Sequence, residues 1–460
     1  MILMLARTKA RFLLALLLII GLLAPSPAAA QSMRFIRDAE IEAYLHALSA
    51  PVFKAADLDP KAINLIIIQD GELNAFVAGG MNIFLHTGLL LATETPAQLQ
   101  GVIAHETGHI AGGHLLRGQQ AMKRASIEAI IALLAGIAVG VASGSAEAAM
   151  GTVSGSQHYI ERTLLRYSRA QESAADAAAM RFLDRAGLSS QGLHDFMNKL
   201  AGQDALPLER QAAYVRTHPL SQDRVQAIES HIKNNPNLKG RFMPEELATA
   251  HARMKAKLSG FLQPQTVLLR TTDKDPKPEA RYARAIAFYR TGQLERALAL
   301  MDSLLEDEPQ NPFFLELKGQ MLFENGRVKD SIPFYARAVA LWPDSALIHQ
   351  AYAHALLESK DDSKLEPAIR SLLEANRLEP QSPETWRLLA MAWNRQGELT
   401  KDDQYQGLVA YAQAESLMSQ GKEQSAGRYA TKALKHLKKD SPYWIRAQDI
   451  KLSAAESVRD

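Results

Sequence analysis

The 460-residue chain contains no cysteine. Disulfides, thiolate metal ligands, a cysteine nucleophile and a lipid-modified N-terminal cysteine are therefore excluded. An excess of one charge is also missing, with 52 basic residues against 50 acidic ones. Such a balance gives no field to hold nucleic acid, and none is expected as a partner. Apolar runs of transmembrane length are scarce, and two segments come near. Arg7, Lys9 and Arg11 precede an apolar stretch from Phe12 to Leu23, and Ala28 and Ala30 stand at small-residue positions before Gln31. This reads as a signal peptide over 1–30, with an uncleaved anchor as the alternative. The stretch is short for a span of about 20 residues. Its removal leaves 49 basic against 50 acidic residues, and export without cysteine fits a bacterial periplasm. The second segment, 127–142, includes Glu128 and dissolves into Ser/Gly-rich sequence. It is expected to be a buried helix, with a lid or membrane-surface contact as the second reading and a true span as the third.

What the chain does have is His105-Glu106-Thr107-Gly108-His109. On a helix, positions i and i+4 share a face, so His105 and His109 can hold one Zn²⁺ together. Glu106 lies between them, placed as a general base for water activated by the metal. Thr95, Pro96 and Gln98 predict the N-cap, first-turn proline and capping box of that helix. His114, five residues past His109, falls off the ligand face. A third ligand is expected from the Ala-rich helix carrying Glu172 and Asp176, whose small residues permit close approach to the first helix. Glu172 is preferred as ligand and Asp176 as the acceptor that fixes the tautomer of a ligand histidine, with Asp176 as the ligand instead as the alternative. A donor opposite the metal is also required, for which Arg224 or a further histidine is a candidate.

The pattern around these residues predicts an α+β domain, mostly helical with a small sheet, over 31–235. Residues 63–69 and 74–78 read as a hairpin about Asp70-Gly71. Met81, Asn82, Ile83, Phe84 and Leu85 read as an edge strand against which extended substrate would pair. A partly helical connector is expected over 236–277. From 278 to 450 a period of 34 takes over: Ala285, Gly292 and Pro309 return as Gly319, Gly326 and Pro343. That is the mark of an all-α tetratricopeptide solenoid, with later units opening at Trp386 to Gly397 and near Tyr411 to Ala426.

The motifs resemble those of the HExxH peptidases that include the CAAX prenyl proteases and the HtpX, Oma and Loi peptidases. The shared residues are Asn74-Ala75-Phe76 with Gly79-Gly80, Gly88-Leu89-Leu90, His105 to His109, Glu172 to Asp176, and Thr217-His218-Pro219-Leu220-Ser221 with Arg224. The order of leader, peptidase and repeats is similar to that of an outer-membrane-biogenesis branch of these enzymes. The resemblance implies a zincin-like (gluzincin) domain with one Zn²⁺ per chain, held by His105, His109 and Glu172, and Glu106 as the catalytic residue. It also implies that His218 can fill the open metal position and keep the enzyme off. The expected substrates are unfolded or misassembled outer-membrane proteins in the periplasm, with the barrel-assembly machinery as partner. A chiefly non-proteolytic chaperone or adaptor for that machinery is the alternative. Cysteines that support repeat-region disulfides in some relatives are absent here.

Overall fold

The computed structural model describes residues 34–113, 169–203, 206–207, 210–236, 244–272 and 275–456. The leader, the 127–142 segment and His114 lie outside them. Among the described residues no helix is long and apolar enough to cross a membrane.

The sheet has four strands, β1 (Phe35–Ile36), β2 (Asn64–Ile68), β3 (Ala75–Ala78) and β4 (Asn82–His86), in the order β1-β2-β4-β3. Strand β4 pairs parallel with β2, and β3 and β1 are antiparallel to their neighbours. This corrects two expectations. The hairpin joins β3 to β4 through Gly79 and Gly80, whose φ of 61° and 94° suit glycine, and not β2 to β3 through Asp70-Gly71. Residues 82–85 are likewise no edge: β4 is buried throughout and paired on both sides, so its backbone has nothing left to offer a substrate. The edge facing away from β4 belongs to β3. Alternation alone does not tell an edge strand from an interior one.

Helices α1 (Ala39–Ala55), α2 (Thr87–Ala92), α3 (Pro96–Ala111), α4 (Arg169–Arg185), α5 (Gln191–Lys199), α6 (Ala213–Thr217) and α7 (Gln222–Asn234) build the rest of this half. Ala75, Val77, Ile83 and Leu85 point from one sheet face into a core shared with Leu45, Leu48, Leu99, Val102 and Phe196. The helices approach closely where side chains vanish. A Cβ on Gly101 would lie 2.6 Å from the Leu193 backbone, and one on Gly192 would lie 2.1 Å from the Ala97 carbonyl oxygen. Both contacts press α5 onto α3.

The stretch read as a connector holds α8 (Glu245–Leu262) and α9 (Pro264–Arg270). Met254 and Leu258 enter the peptidase core, whereas Ala256 joins the core of the first repeat. Lys257 is buried at this joint, 2.7 Å from Asp38 and 3.3 Å from Glu40. Glu40 also accepts a 2.7 Å hydrogen bond from Tyr282. A cavity of about 560 Å³ lies beside them, between β1, α8 and the repeats.

The repeat half consists of α10 (Pro278–Arg290), α11 (Leu294–Asp307), α12 (Pro312–Glu324), α13 (Val328–Leu341), α14 (Ala346–Glu358), α15 (Leu365–Leu378), α16 (Pro383–Thr400), α17 (Gln404–Ser419), α18 (Glu423–Ala433) and α19 (Pro442–Glu456). Gly292 and Gly326 occupy the turns with positive φ. Gly319 faces the Tyr335 ring, and Ala285 is fully buried. The period breaks at Gly397, which lies inside α16; the turn falls later, at Lys401 with φ 59°.

Candidate metal centre

Four elements from distant parts of the chain deliver the site. Helix α3 begins as its first turn predicts: Thr95 accepts from the Gln98 N–H, and the Gln98 side chain accepts from the Glu94 N–H. The helix carries His105, Glu106 and His109 into the interior, where all three are fully buried. Helix α4 reaches them because Gly108 leaves room; a Cβ there would lie 2.6 Å from the Ala175 carbonyl oxygen. That approach brings Glu172 and Asp176 to the two histidines. Helix α6 ends at His218, which caps it with an N–H donated to the Tyr214 carbonyl at 2.7 Å. Helix α7 supplies Arg224.

Among the described residues, His105, His109, Glu172 and His218 form the group able to hold a metal ion. Their donor atoms converge. His105 Nε2 is 3.1 Å from His109 Nε2 and 3.3 Å from His218 Nδ1. Glu172 carboxylate oxygens lie 3.1 Å from His218 Nδ1, 3.3 Å from His109 Nε2 and 3.4 Å from His105 Nε2. Ligands on a tetrahedral Zn²⁺ at the usual bond lengths stand about 3.3 Å apart, so the residues fit that ion. Three ring nitrogens this close, in a dry interior, also lack enough protons to bridge one another, whereas one cation satisfies all of them.

The surroundings prepare the donors. His105 Nδ1 bonds to Asp176 at 2.8 Å, which turns Nε2 inward. Arg224 grips Asp176 at 2.6 and 2.9 Å, approaches Glu172 at 2.9 Å and donates to the Pro219 carbonyl. Burial opposes the charged form of Glu172, but His218, His105 and His109 outweigh it and hold the carboxyl well below its usual range. Burial lowers His109 to about 3, leaving the ring neutral as a ligand requires. Burial likewise opposes a charged His105, yet Asp176 and Glu172 lift it to about 10; their negative charge calls for a cation at this ring, a place that a bound metal would take from the proton. Glu106 is pushed up, chiefly by burial, and neither of its oxygens has a hydrogen-bond partner. His218 turns Nδ1 towards the other three donors, while Nε2 lies 3.1 Å from the Ala75 carbonyl on β3.

All the sequence-singled residues thus meet except 81–85. Arg224 is engaged with two carboxylates rather than standing opposite a metal. Two participants escaped the sequence: the Ala75 carbonyl, and Tyr214, whose ring stacks on His218 at 4.5 Å. The second had a signal, since Tyr214 and His218 stand at i and i+4, the same spacing that marks the two histidines of α3.

A small sheet under a helix bearing two histidines and a glutamate, with a glutamate from a second helix, defines a zinc metalloendopeptidase. Residues 37–232 match the model of Peptidase family M48, and 265–312 and 282–346 match a Tetratricopeptide repeat model. The chain therefore carries an M48-family zinc-metallopeptidase domain with a C-terminal tetratricopeptide region. It is similar to the "Beta-barrel assembly-enhancing protease" of Yersinia pestis, 25% identical over 85% of this chain and 78% of the relative. The "Putative beta-barrel assembly-enhancing protease" of Vibrio cholerae is 25% identical over 82% and 78%. The "Metalloprotease LoiP" of Escherichia coli is 30% identical over 37% of this chain and 64% of that protein.

Proposed function

We propose that the protein is a periplasmic zinc-dependent endopeptidase that degrades misfolded or stalled outer-membrane proteins and assists their assembly. The observation that carries the peptidase reading is the buried cluster of His105, His109 and Glu172 beside Glu106, whose oxygens have no hydrogen-bond partner and lie no nearer than 3.5 Å to the His218 ring nitrogen. The relatives' names supply the link to β-barrel assembly.

In this reading His105, His109 and Glu172 hold one Zn²⁺, Asp176 orients His105, and Arg224 holds Asp176 and Glu172 in place. A zinc ion there supplies Lewis acidity, which acidifies water and polarises a carbonyl. Glu106 takes a proton from the attacking water as its oxygen bonds to the carbonyl carbon. The same proton passes to the leaving nitrogen as the C–N bond breaks. The raised affinity of Glu106 for protons suits a base that must also return one. Substrate would lie along β3, the strand whose outer edge faces the cluster, with backbone pairing that reads no particular sequence.

His218 keeps this apparatus shut, since it occupies the fourth corner and the Ala75 carbonyl together. Its withdrawal would release a ligand position and a β3 acceptor in one movement. The repeats over 278–450 would dock the barrel-assembly machinery or a partly inserted barrel, which raises the local concentration of substrate near the site. The closed, fully buried cluster also favours a second reading, a chaperone or adaptor whose proteolysis is dormant. Glu106→Gln separates them in cells. Accumulation of undegraded outer-membrane protein supports the protease. Full retention of assembly function with normal turnover supports the adaptor.

A further inference from the structure

Tyr214 is the polar group of the site left without a task. Its ring is fully buried, and its hydroxyl has no hydrogen-bond partner among the described residues. An unpaired buried hydroxyl costs about 1–3 kcal/mol, so its retention needs a reason. The ring is held firmly. It stacks on His218 with an interplanar angle of 25°, meets Phe196 edge-on at 5.4 Å, and lies 6.4 Å from the His105 ring. Helix α6 is tied to the segment that leads into β3: Tyr214 N–H donates to the Leu73 carbonyl at 2.9 Å, and Thr217 donates to Asn74 at 3.3 Å.

The other orphaned polar atoms of the cluster are the two Glu106 oxygens and one Glu172 oxygen, all acceptors, and that Glu172 oxygen lies 2.9 Å from Arg224 Nη1. Hydrolysis introduces their complement: water donates to Glu106, and the carbonyl oxygen gains negative charge and needs a donor. Arg224 is committed to Asp176, Glu172 and the Pro219 carbonyl. The Tyr214 hydroxyl is uncommitted. A phenol keeps its proton at pH 7, so it is available as a neutral donor.

We propose that the Tyr214 hydroxyl donates a hydrogen bond to the scissile carbonyl oxygen as negative charge develops there. Helix α6 stays anchored, and His218 leaves by rotating its side chain, so Tyr214 remains beside the cluster after opening. The inference rests on the peptidase reading and adds a catalytic residue to it.

The test compares His218→Ala with His218→Ala/Tyr214→Phe, both loaded with zinc. Phenylalanine keeps the ring and removes one oxygen. A quenched-fluorescence peptide reads kcat and KM; calorimetry reads the affinity of a phosphinic peptide that mimics the tetrahedral state. We expect kcat to fall about 100-fold, KM to stay within about twofold, and the phosphinate to weaken by a factor similar to that in kcat. Zinc content should stay unchanged, and Tm should stay level or rise as an orphaned hydroxyl is removed. Equal kcat and equal phosphinate affinity would overturn the proposal, as would a joint loss of KM, zinc and Tm, the mark of a packing role. If His218→Ala cleaves no peptide, the peptidase reading fails on its own. Phosphinate affinity then decides Tyr214 alone, equal binding in both proteins counting against it.

Discussion

The two halves of the molecule differ in where charge is concentrated. In the peptidase half, His105, Glu106, His109, Glu172, Asp176, His218 and Arg224 are buried together. In the repeat half, ion pairs such as Arg370–Glu366, Arg377–Glu374 and Arg387–Glu384 lie on exposed helix faces at i,i+3 or i,i+4. The surface pairs need only one helix to form. The buried set needs four elements brought from across the chain, each charge made tolerable by another. A solenoid can therefore be built from local repetition, whereas the site exists only when the whole domain is assembled. Lys257, buried between Asp38 and Glu40 at the joint, extends the second principle to the contact between the halves.

The widest contrast is in chemistry. In a His218→Ala background, Glu106→Gln should lower peptide hydrolysis by about 10²–10⁴, with one zinc per chain retained by elemental analysis. Hydrolysis at the parent rate would remove Glu106 from its role. Next is stability. Glu172→Ala leaves Arg224 and the histidines without their shared anion, so chemical denaturation should show a loss of about 3–5 kcal/mol together with loss of zinc. Full zinc occupancy in that variant would return the ligand role to Asp176. Backbone packing comes third. Gly108→Ala pushes into the Ala175 carbonyl and should cost about 1–3 kcal/mol and weaken zinc binding. Gly319→Ala meets the Tyr335 ring at 3.0 Å, where a gain in helix propensity of about 1 kcal/mol offsets the crowding. Equal effects at the two glycines would dissolve the contrast between the halves.

A pH experiment probes the joint. His251 on α8 is buried between the Tyr44 hydroxyl at 2.7 Å and the Thr93 carbonyl at 3.2 Å. Burial lowers it to about 4, the Thr93 carbonyl working the other way. The unfolded chain, with its histidine near 6.5, binds the extra proton first, so stability falls as pH drops from 6.5 towards 4 and is complete above that window. From pH 7.5 to 5 the His251 share is about 2 kcal/mol, read as the difference in pH slope between the parent and His251→Gln. Identical slopes would place His251 elsewhere. The smallest effect belongs to the solenoid surface: Arg387→Ala should change stability by less than about 1 kcal/mol. A larger loss would show that the repeat surface carries more than local order.

Much of this was legible without coordinates, for one physical reason: a helix writes its geometry into near neighbours. The i,i+4 spacing of His105 and His109, the Thr95 to Gln98 cap and the 34-residue return of Gly292 at Gly326 are all local. The small residues around Glu172 also announced a close helix, because room at a crossing depends on the side chains that are missing there. Tertiary structure alone decided the rest. Strand order put β4 inside and β3 at the edge, since pairing is chosen by partners far along the chain. It aimed the Ala75 carbonyl at His218, turned Arg224 onto Asp176 and Glu172, stacked Tyr214 on His218 with its hydroxyl unpaired, and buried Lys257 where the halves meet. None of these follows from spacing, because each is a contact between segments whose separation in sequence bears no relation to their separation in space.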